Sequence, residues 1–259
     1  MLRATCLKRI EEPTQTVQPV IPGERLKNTN ITVLSAEEMD YDPAIEELAM
    51  KILADYDILR ELIGIMRTAM QKGTRKFYYY MQHKTEKERE TICNLIKQMI
   101  GIVAEYNYDE SCCLLSGGLQ MTPRAKDFIN GKFMEIAIGA LTEKVVNLLA
   151  VSRNVDHYKV QRNVIVSDGV HKNEIDLLIT LGNEIFFVEI KSGACFRDYE
   201  RYHTLGLRYG VIPDRILLVN SDITKEEAAR IKYFCSYYAS SLSTYITTLQ
   251  TMLLNGMEE

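Results

Sequence analysis

The sequence predicts an α/β domain preceded by a mainly helical module, and three observations carry that prediction. After Pro123 the apolar pattern runs helix, three strands, helix, strand, helix, the alternation expected of an α/β protein. Before it the pattern is helical, apart from one short hairpin. Two Thr-x-x-Glu capping boxes, Thr85/Glu88 and Thr224/Glu227, mark helix starts in the two halves. The expected boundaries are a flexible arm over 1–40, a mainly helical module over 41–122 and the α/β domain over 123–259.

Pro13, Pro19 and Pro22 sit among polar residues, which suits an arm rather than a core. Asp42-Pro43 suits a helix start, with Pro at the first helical position. Ile45, Leu48, Ile52 and Leu53 continue that helix. A second runs from Ile58 to Met70 and stops at Gly73. The Thr85 capping box opens a third, carried by Ile92, Leu95, Ile96, Met99 and Ile102. Cys112 to Met121, with Gly117-Gly118 at its centre, reads as a hairpin. Three helices and a hairpin outline a winged-helix-like module.

In the second half, Gly131 to Ala150 reads as a strongly apolar helix. Strand patterns follow over Tyr158–Val166, Ile175–Leu181 and Ile185–Ile190. A polar, aromatic helix covers about Asp198 to Tyr209, a strand covers Ile216–Val219, and the Thr224 box opens a long C-terminal helix.

Composition excludes some functions. The 259 residues are 46% hydrophobic and 25% charged, and 31 Lys+Arg against 35 Asp+Glu give a net charge of -4. A polybasic nucleic-acid binder is not expected, although a local basic groove is compatible with that balance. No run of roughly 18 apolar residues is present to span a membrane, and the N-terminus lacks a signal-peptide core. Six cysteines without a CxxC pair or zinc spacing fit reduced thiols and a cytoplasmic protein.

Chemistry concentrates in one hairpin. Gly182-Asn183 suits a two-residue loop. With Leu181 opposite Glu184, the pairing sets Asp176 directly opposite Glu189, with Cβ atoms roughly 4.5–5.5 Å apart. Alternation puts Lys191 on the face of Glu189. Both faces carry apolar neighbours, so the carboxylates are not a solvated ladder. At that spacing they repel by about 3 kcal/mol at an effective dielectric near 20. Lys191 offsets part of this, and a divalent cation would offset more. Oxygen ligands without His or Cys favour Mg2+ or Mn2+. The competing reading is a structural ion-pair cluster.

Asp176 followed by Glu189-Ile190-Lys191 resembles the PD-(D/E)XK nuclease superfamily signature. Glu174-Ile175 stands where the family usually has Pro. The run Phe128-Ile-Asn-Gly131, Glu135 and Asn173-Glu-Ile-Asp176 looks similar to nuclease domains of CRISPR-associated ancillary nucleases. The resemblance implies a restriction-endonuclease-like mixed sheet flanked by helices. It also implies a metal held by Asp176, Glu189 and the Ile190 carbonyl, with Lys191 stabilising charge on the phosphoryl oxygens. Gly131-x-x-x-Glu135 matches the family's upstream acid, which would hold metal-bound water or help a second metal; Glu143 is the alternative. Such relatives add a nucleotide-sensing Rossmann-like domain. The first half here shows no alternating strand pattern, so activation by a cyclic oligonucleotide is not carried over.

The implied function is divalent-metal-dependent hydrolysis of phosphodiesters in DNA, ahead of RNA, in defence against or maintenance of mobile DNA. The alternative is a nucleic-acid-binding or recombination-partner protein that uses the fold without cleavage. Arg197, Arg201 and Arg208 share one face of the helix near 198–209, with Tyr202 and Tyr209 beside them. That stripe suits phosphate contact and base stacking, or an ordinary solvated face. Ile231, Cys235, Tyr238, Leu242, Tyr245, Leu249 and Met252 follow heptad spacing. The seam predicts either a homodimer through the 231–252 helix or packing within the chain.

Overall fold

The computed structural model describes residues 24–26, 29–37, 42–193 and 199–257. The chain enters through β1 (Glu24–Arg25) and β2 (Thr32–Glu37). It continues through α1 (Pro43–Ala54), α2 (Tyr56–Gln71), β3 (Lys76–Tyr80), α3 (Glu86–Gln98), β4 (Val103–Asp109) and β5 (Leu114–Leu119). Then come α4 (Pro123–Asp127), a π-helical segment at Phe128–Lys132, α5 (Phe133–Arg153), β6 (Tyr158–Ser167), β7 (Lys172–Leu181) and β8 (Glu184–Lys191). The chain closes with α6 (Glu200–Tyr209), β9 (Ile216–Asn220), α7 (Lys225–Cys235), β10 (Tyr238–Ser240) and α8 (Tyr245–Met257).

Local chemistry explains the starts and stops. The Asp42 side chain accepts from Ala44 N at 3.0 Å ahead of Pro43. Both capping boxes form, Thr85 with Glu88 and Thr224 with Glu227. Gly182 turns the hairpin at φ 63°, a conformation that glycine adopts without steric cost.

Among the described residues a seven-stranded mixed sheet runs β1-β2-β6-β7-β8-β9-β10. It is antiparallel up to β8 and parallel from β8 through β9 to β10. One face packs on α5, α8 and the helical module, through Leu177, Ile179, Phe186, Val188 and Leu217. The other packs on α6 and α7, through Leu178, Phe187, Leu218, Tyr202, Tyr209 and Ile231. The mixed α/β sheet flanked by helices, with a helical N-terminal part, is the predicted fold class.

Four expectations need correction. Residues 32–37 are not part of a loose arm, because β2 pairs antiparallel with β6 and buries Ile31 and Val33 in the nearby core. Gly117-Gly118 is not a turn but lies within β5, between β3 and β4. A Cβ on Gly117 would come within 2.7 Å of the Phe77 ring and of the Glu105 carbonyl, so close packing requires that glycine. Its turn lies at 110–113, and a third strand, β3, completes the sheet. The long C-terminal helix is broken after Cys235, where Ser236 adopts φ 62° and the chain adds β10 to the sheet edge. Ile231, Tyr245, Leu249 and Met252 are all buried inside the chain, so the 231–252 seam offers no helix for a dimer.

Candidate active site

The Asp176/Glu189 hairpin forms in the expected register, from Leu181↔Glu184 to Leu177↔Val188. There the ladder stops. The Ile190 N–H donates instead to Asp176 Oδ2 at 2.6 Å. The carboxylate thus takes the place a strand carbonyl would have, and this holds Asp176 against β8. The neighbouring strand shares the irregularity. Asn163 of β6, at φ 45°, falls between the pairs Arg162↔Leu177 and Val164↔Ile175. Leu177 packs toward α5 while Ile175 packs toward α6. Asparagine tolerates this left-handed geometry better than most residues.

Lys191 Nζ lies 3.1 Å from Asp176 Oδ2 and 3.1 Å from Glu189 Oε2. The predicted convergence of two carboxylates and one ammonium is therefore present. Glu189 is only 4% exposed. Burial, then the Asp176 charge, pushes its carboxyl up to about 7 despite the opposing pull of Lys191. Its Oε1 is buried with no hydrogen-bond partner. A buried carboxylate oxygen left unmatched is costly, and a hard cation is the partner that this all-oxygen donor set suits. Two carboxylates beside a main-chain carbonyl at Ile190 therefore fit the implied metal.

A cleft of about 870 Å3 opens over this point, lined by Glu37, Gly131, Lys132, Glu135, Asn163, Asp176 and Ser192, among others. Gly131, at φ 147°, kinks the chain within the π-helical segment, and a Cβ there would meet Ser192 Oγ at 3.1 Å. That close approach brings the start of α5 to the end of β8. Glu135 lines the cleft, but its Oε2 pairs with Lys132 Nζ at 3.1 Å. Burial raises its pKa most, and Lys132 opposes the rise. Among the described residues, no three His, Cys, Asp or Glu side chains are grouped to hold an ion.

Glu143, the alternative acid, sits two turns further along α5. It pairs with the nearly buried Arg162 at 3.2 Å. Gly139 makes room for that guanidinium, since a Cβ there would lie 2.5 Å from Arg162 Nε. Gly139→Ala is therefore expected to destabilise the fold by about 1–3 kcal/mol, as a lowered denaturation midpoint would show.

On α6 the expected stripe divides. Arg197 lies outside the described residues. Arg201 is exposed, and its charge acts on Glu189. Arg208 instead donates to Asn173 Oδ1 at 3.3 Å, beside the Tyr209 hydroxyl bonded to the same oxygen at 3.0 Å. Tyr202 and Tyr209 are 2% and 0% exposed, so neither ring is available for base stacking. Tyr202 packs edge-on against Tyr237. Its spacing to Leu205 and Tyr209 is that of a buried helix face.

Glu37 went unnoticed in the sequence. β2 delivers it to the cleft, where Lys132 Nζ reaches it at 2.9 Å and the Asn163 amide also donates to it. The β-branched run at 31–33 was the available signal.

Comparison with known proteins bears on the fold and on the segment that carries the hairpin. Residues 138–229 match the model of the nuclease-related domain family, a segment that contains Asp176, Glu189 and Lys191 but begins after Glu135. A structure of protein VC1899 from Vibrio cholerae is similar at 15% identity and TM-score 0.58, over 87% of this chain and 58% of that one. A structure of Can2 from Sulfobacillus thermosulfidooxidans, in complex with cyclic tetra-adenylate, is similar at 12% identity and TM-score 0.53, over 89% and 58%. This chain thus spans 58% of the length of each of those structures. No curated protein matches the sequence. The resemblance to nuclease domains of this kind is borne out. No helix among the described residues is long and apolar enough to cross a membrane.

Proposed function

We propose that this chain is a divalent-metal-dependent nuclease that hydrolyses phosphodiester bonds, in DNA ahead of RNA. The observation that carries the reading is Glu189, buried with an unmatched Oε1 between Asp176 and Lys191, inside the nuclease-related segment. Asp176, Glu189 and the Ile190 carbonyl would hold Mg2+ or Mn2+. Such an ion supplies Lewis-acid polarisation of the phosphate and lowers the pKa of bound water.

The chain's own groups do the rest. Lys191, freed from bridging the two carboxylates, presents its ammonium to the charge growing on the phosphoryl oxygens. Glu135, which lines the cleft, orients a water by accepting its proton in a hydrogen bond. Arg201, exposed on α6, would meet backbone phosphate. A merely structural ion-pair cluster would leave no oxygen unmatched, which is why the catalytic reading is preferred.

Incubating the full chain with single- and double-stranded DNA and RNA, with Mn2+ and then with excess EDTA, tests this. Cleavage with Mn2+ that stops with EDTA is expected; no cleavage of any of them would refute the reading. Arg201→Ala should weaken binding and lower the slope of log K against log salt by about 0.7–0.9, the loss of one phosphate contact. An unchanged slope in a salt series would return Arg201 to an ordinary surface role.

A further inference from the structure

The cleft over the hairpin is rich in carboxylates. Its described lining includes Glu37, Asp127, Glu135, Glu174 and Asp176, against the cations Arg124 and Lys132. Lys132 pairs with Glu37 and Glu135, and Lys191 bridges Asp176 and Glu189. Arg124 differs from both. It is exposed, and among the described residues no ion pair or hydrogen bond engages its guanidinium.

The fold fixes the segment that carries Arg124. Thr122 accepts from Ala125 N at 3.2 Å and Pro123 follows it, so α4 starts at a defined point. Ala125, Phe128 and Ile129 are buried, and Arg67 of α2 donates to the Ile129 carbonyl at 3.3 Å. The Asn130 carbonyl accepts from Ser192 Oγ at 3.2 Å, just past the end of β8. The segment is thus tied both to the helical module and to the strand that bears Glu189 and Lys191. Arg67 is occupied in holding it, whereas Arg124 is not.

A phosphodiester strand that enters this cleft meets more carboxylates than unengaged cations. The metal and Lys191 answer the phosphate being cut, and any further phosphate in the cleft needs a cation of its own. An unengaged guanidinium suits it. The fixed fork matches two phosphate oxygens, and binding breaks no existing ion pair.

We propose that Arg124 binds a backbone phosphate other than the one cleaved, on the nucleic-acid strand that occupies the cleft. The site is thereby fitted to a chain of phosphates rather than to a lone diester. The contact is made in the ground and transition states alike, so it acts on KM rather than on kcat. This inference rests on the nuclease reading above and names a residue that holds its substrate.

Steady-state cleavage by the full chain with Mn2+ tests it, on whichever of labelled single- and double-stranded DNA and RNA the wild type cuts. Arg124→Ala should raise KM about ten- to hundredfold, the loss of a hydrogen bond between charged groups. Its kcat should stay within about threefold of wild type. With EDTA in place of Mn2+, its slope of log K for binding against log salt should be lower by about 0.7–0.9. Arg124→Lys keeps the charge without the fork, so its KM should fall between the two. Mn2+ should raise the melting temperature of each variant as much as that of wild type, because the metal ligands are untouched. If Arg124→Ala does not fold, Arg124→Gln replaces it with the same expectation. An unchanged KM and salt slope in a folded variant, a loss confined to kcat, or a reduced Mn2+ shift would overturn the inference and leave the nuclease reading standing. No cleavage by the wild type would overturn both together.

Discussion

Glu189→Gln is expected to reduce cleavage by about a thousandfold or more while raising the stability of the metal-free protein by about 1–3 kcal/mol near pH 8. The substitution removes a charge that is buried, close to Asp176 and only half satisfied. The pH dependence has a definite sign. The folded chain holds the Glu189 proton up to about 7, against the usual 4.5. Stability from this group is therefore fully present below pH 4.5 and is lost as pH rises through about 7. That loss should be absent in Glu189→Gln. Removing the other members of the cluster has the opposite effect on stability. Asp176→Ala should also abolish cleavage, but it leaves the Ile190 N–H without the acceptor it holds at 2.6 Å, at a cost of about 1–3 kcal/mol. Lys191→Ala leaves two carboxylates facing each other and should be destabilising as well as inactive. Denaturant titrations beside a cleavage assay check all three. Equal destabilisation by every substitution would favour a structural ion-pair cluster.

Mn2+ should stabilise the wild-type protein by about 2.7 kcal/mol at a hundred times its Kd, which raises the melting temperature by about 5–10 °C. The gain should vanish in Glu189→Gln, which keeps the shape of the site but loses a ligand charge. Below pH 7 the ion competes with the Glu189 proton, so the apparent affinity should weaken as pH falls. A melting series with and without Mn2+ at pH 5.5 and 7.5 measures both effects. A shift of the same size in wild type and Glu189→Gln would place the ion elsewhere.

The parts of this site written in local sequence were legible. A Gly-Asn loop and strand alternation place Asp176, Glu189 and Lys191 together, because a hairpin's register follows from its turn. Capping boxes located two helix starts for a similar reason: each is satisfied within four residues. What was not legible depends on distant contacts. β2 joins β6 across more than a hundred residues of chain, so nothing near Glu37 announces its place beside Lys132. The parting of β7 from β8 at Asp176 coincides with a left-handed Asn163 on a third strand. The heptad spacing at 231–252 misled because α7, β10 and α8 each bury an apolar face, and their spacings run together across the break at Ser236. Tyr202 illustrates an ambiguity of helical wheels. An aromatic beside an arginine stripe reads as a stacking surface, whereas its spacing to Leu205 and Tyr209 marks the core.

Anomalous diffraction from crystals grown with Mn2+ would show whether Asp176 and Glu189 hold an ion. A peak bounded by Asp176, Glu189 and the Ile190 carbonyl is expected, with Lys191 Nζ drawn away from at least one of the two carboxylates it now bridges. A map with no peak there, and with Lys191 still 3.1 Å from both carboxylates, would contradict it.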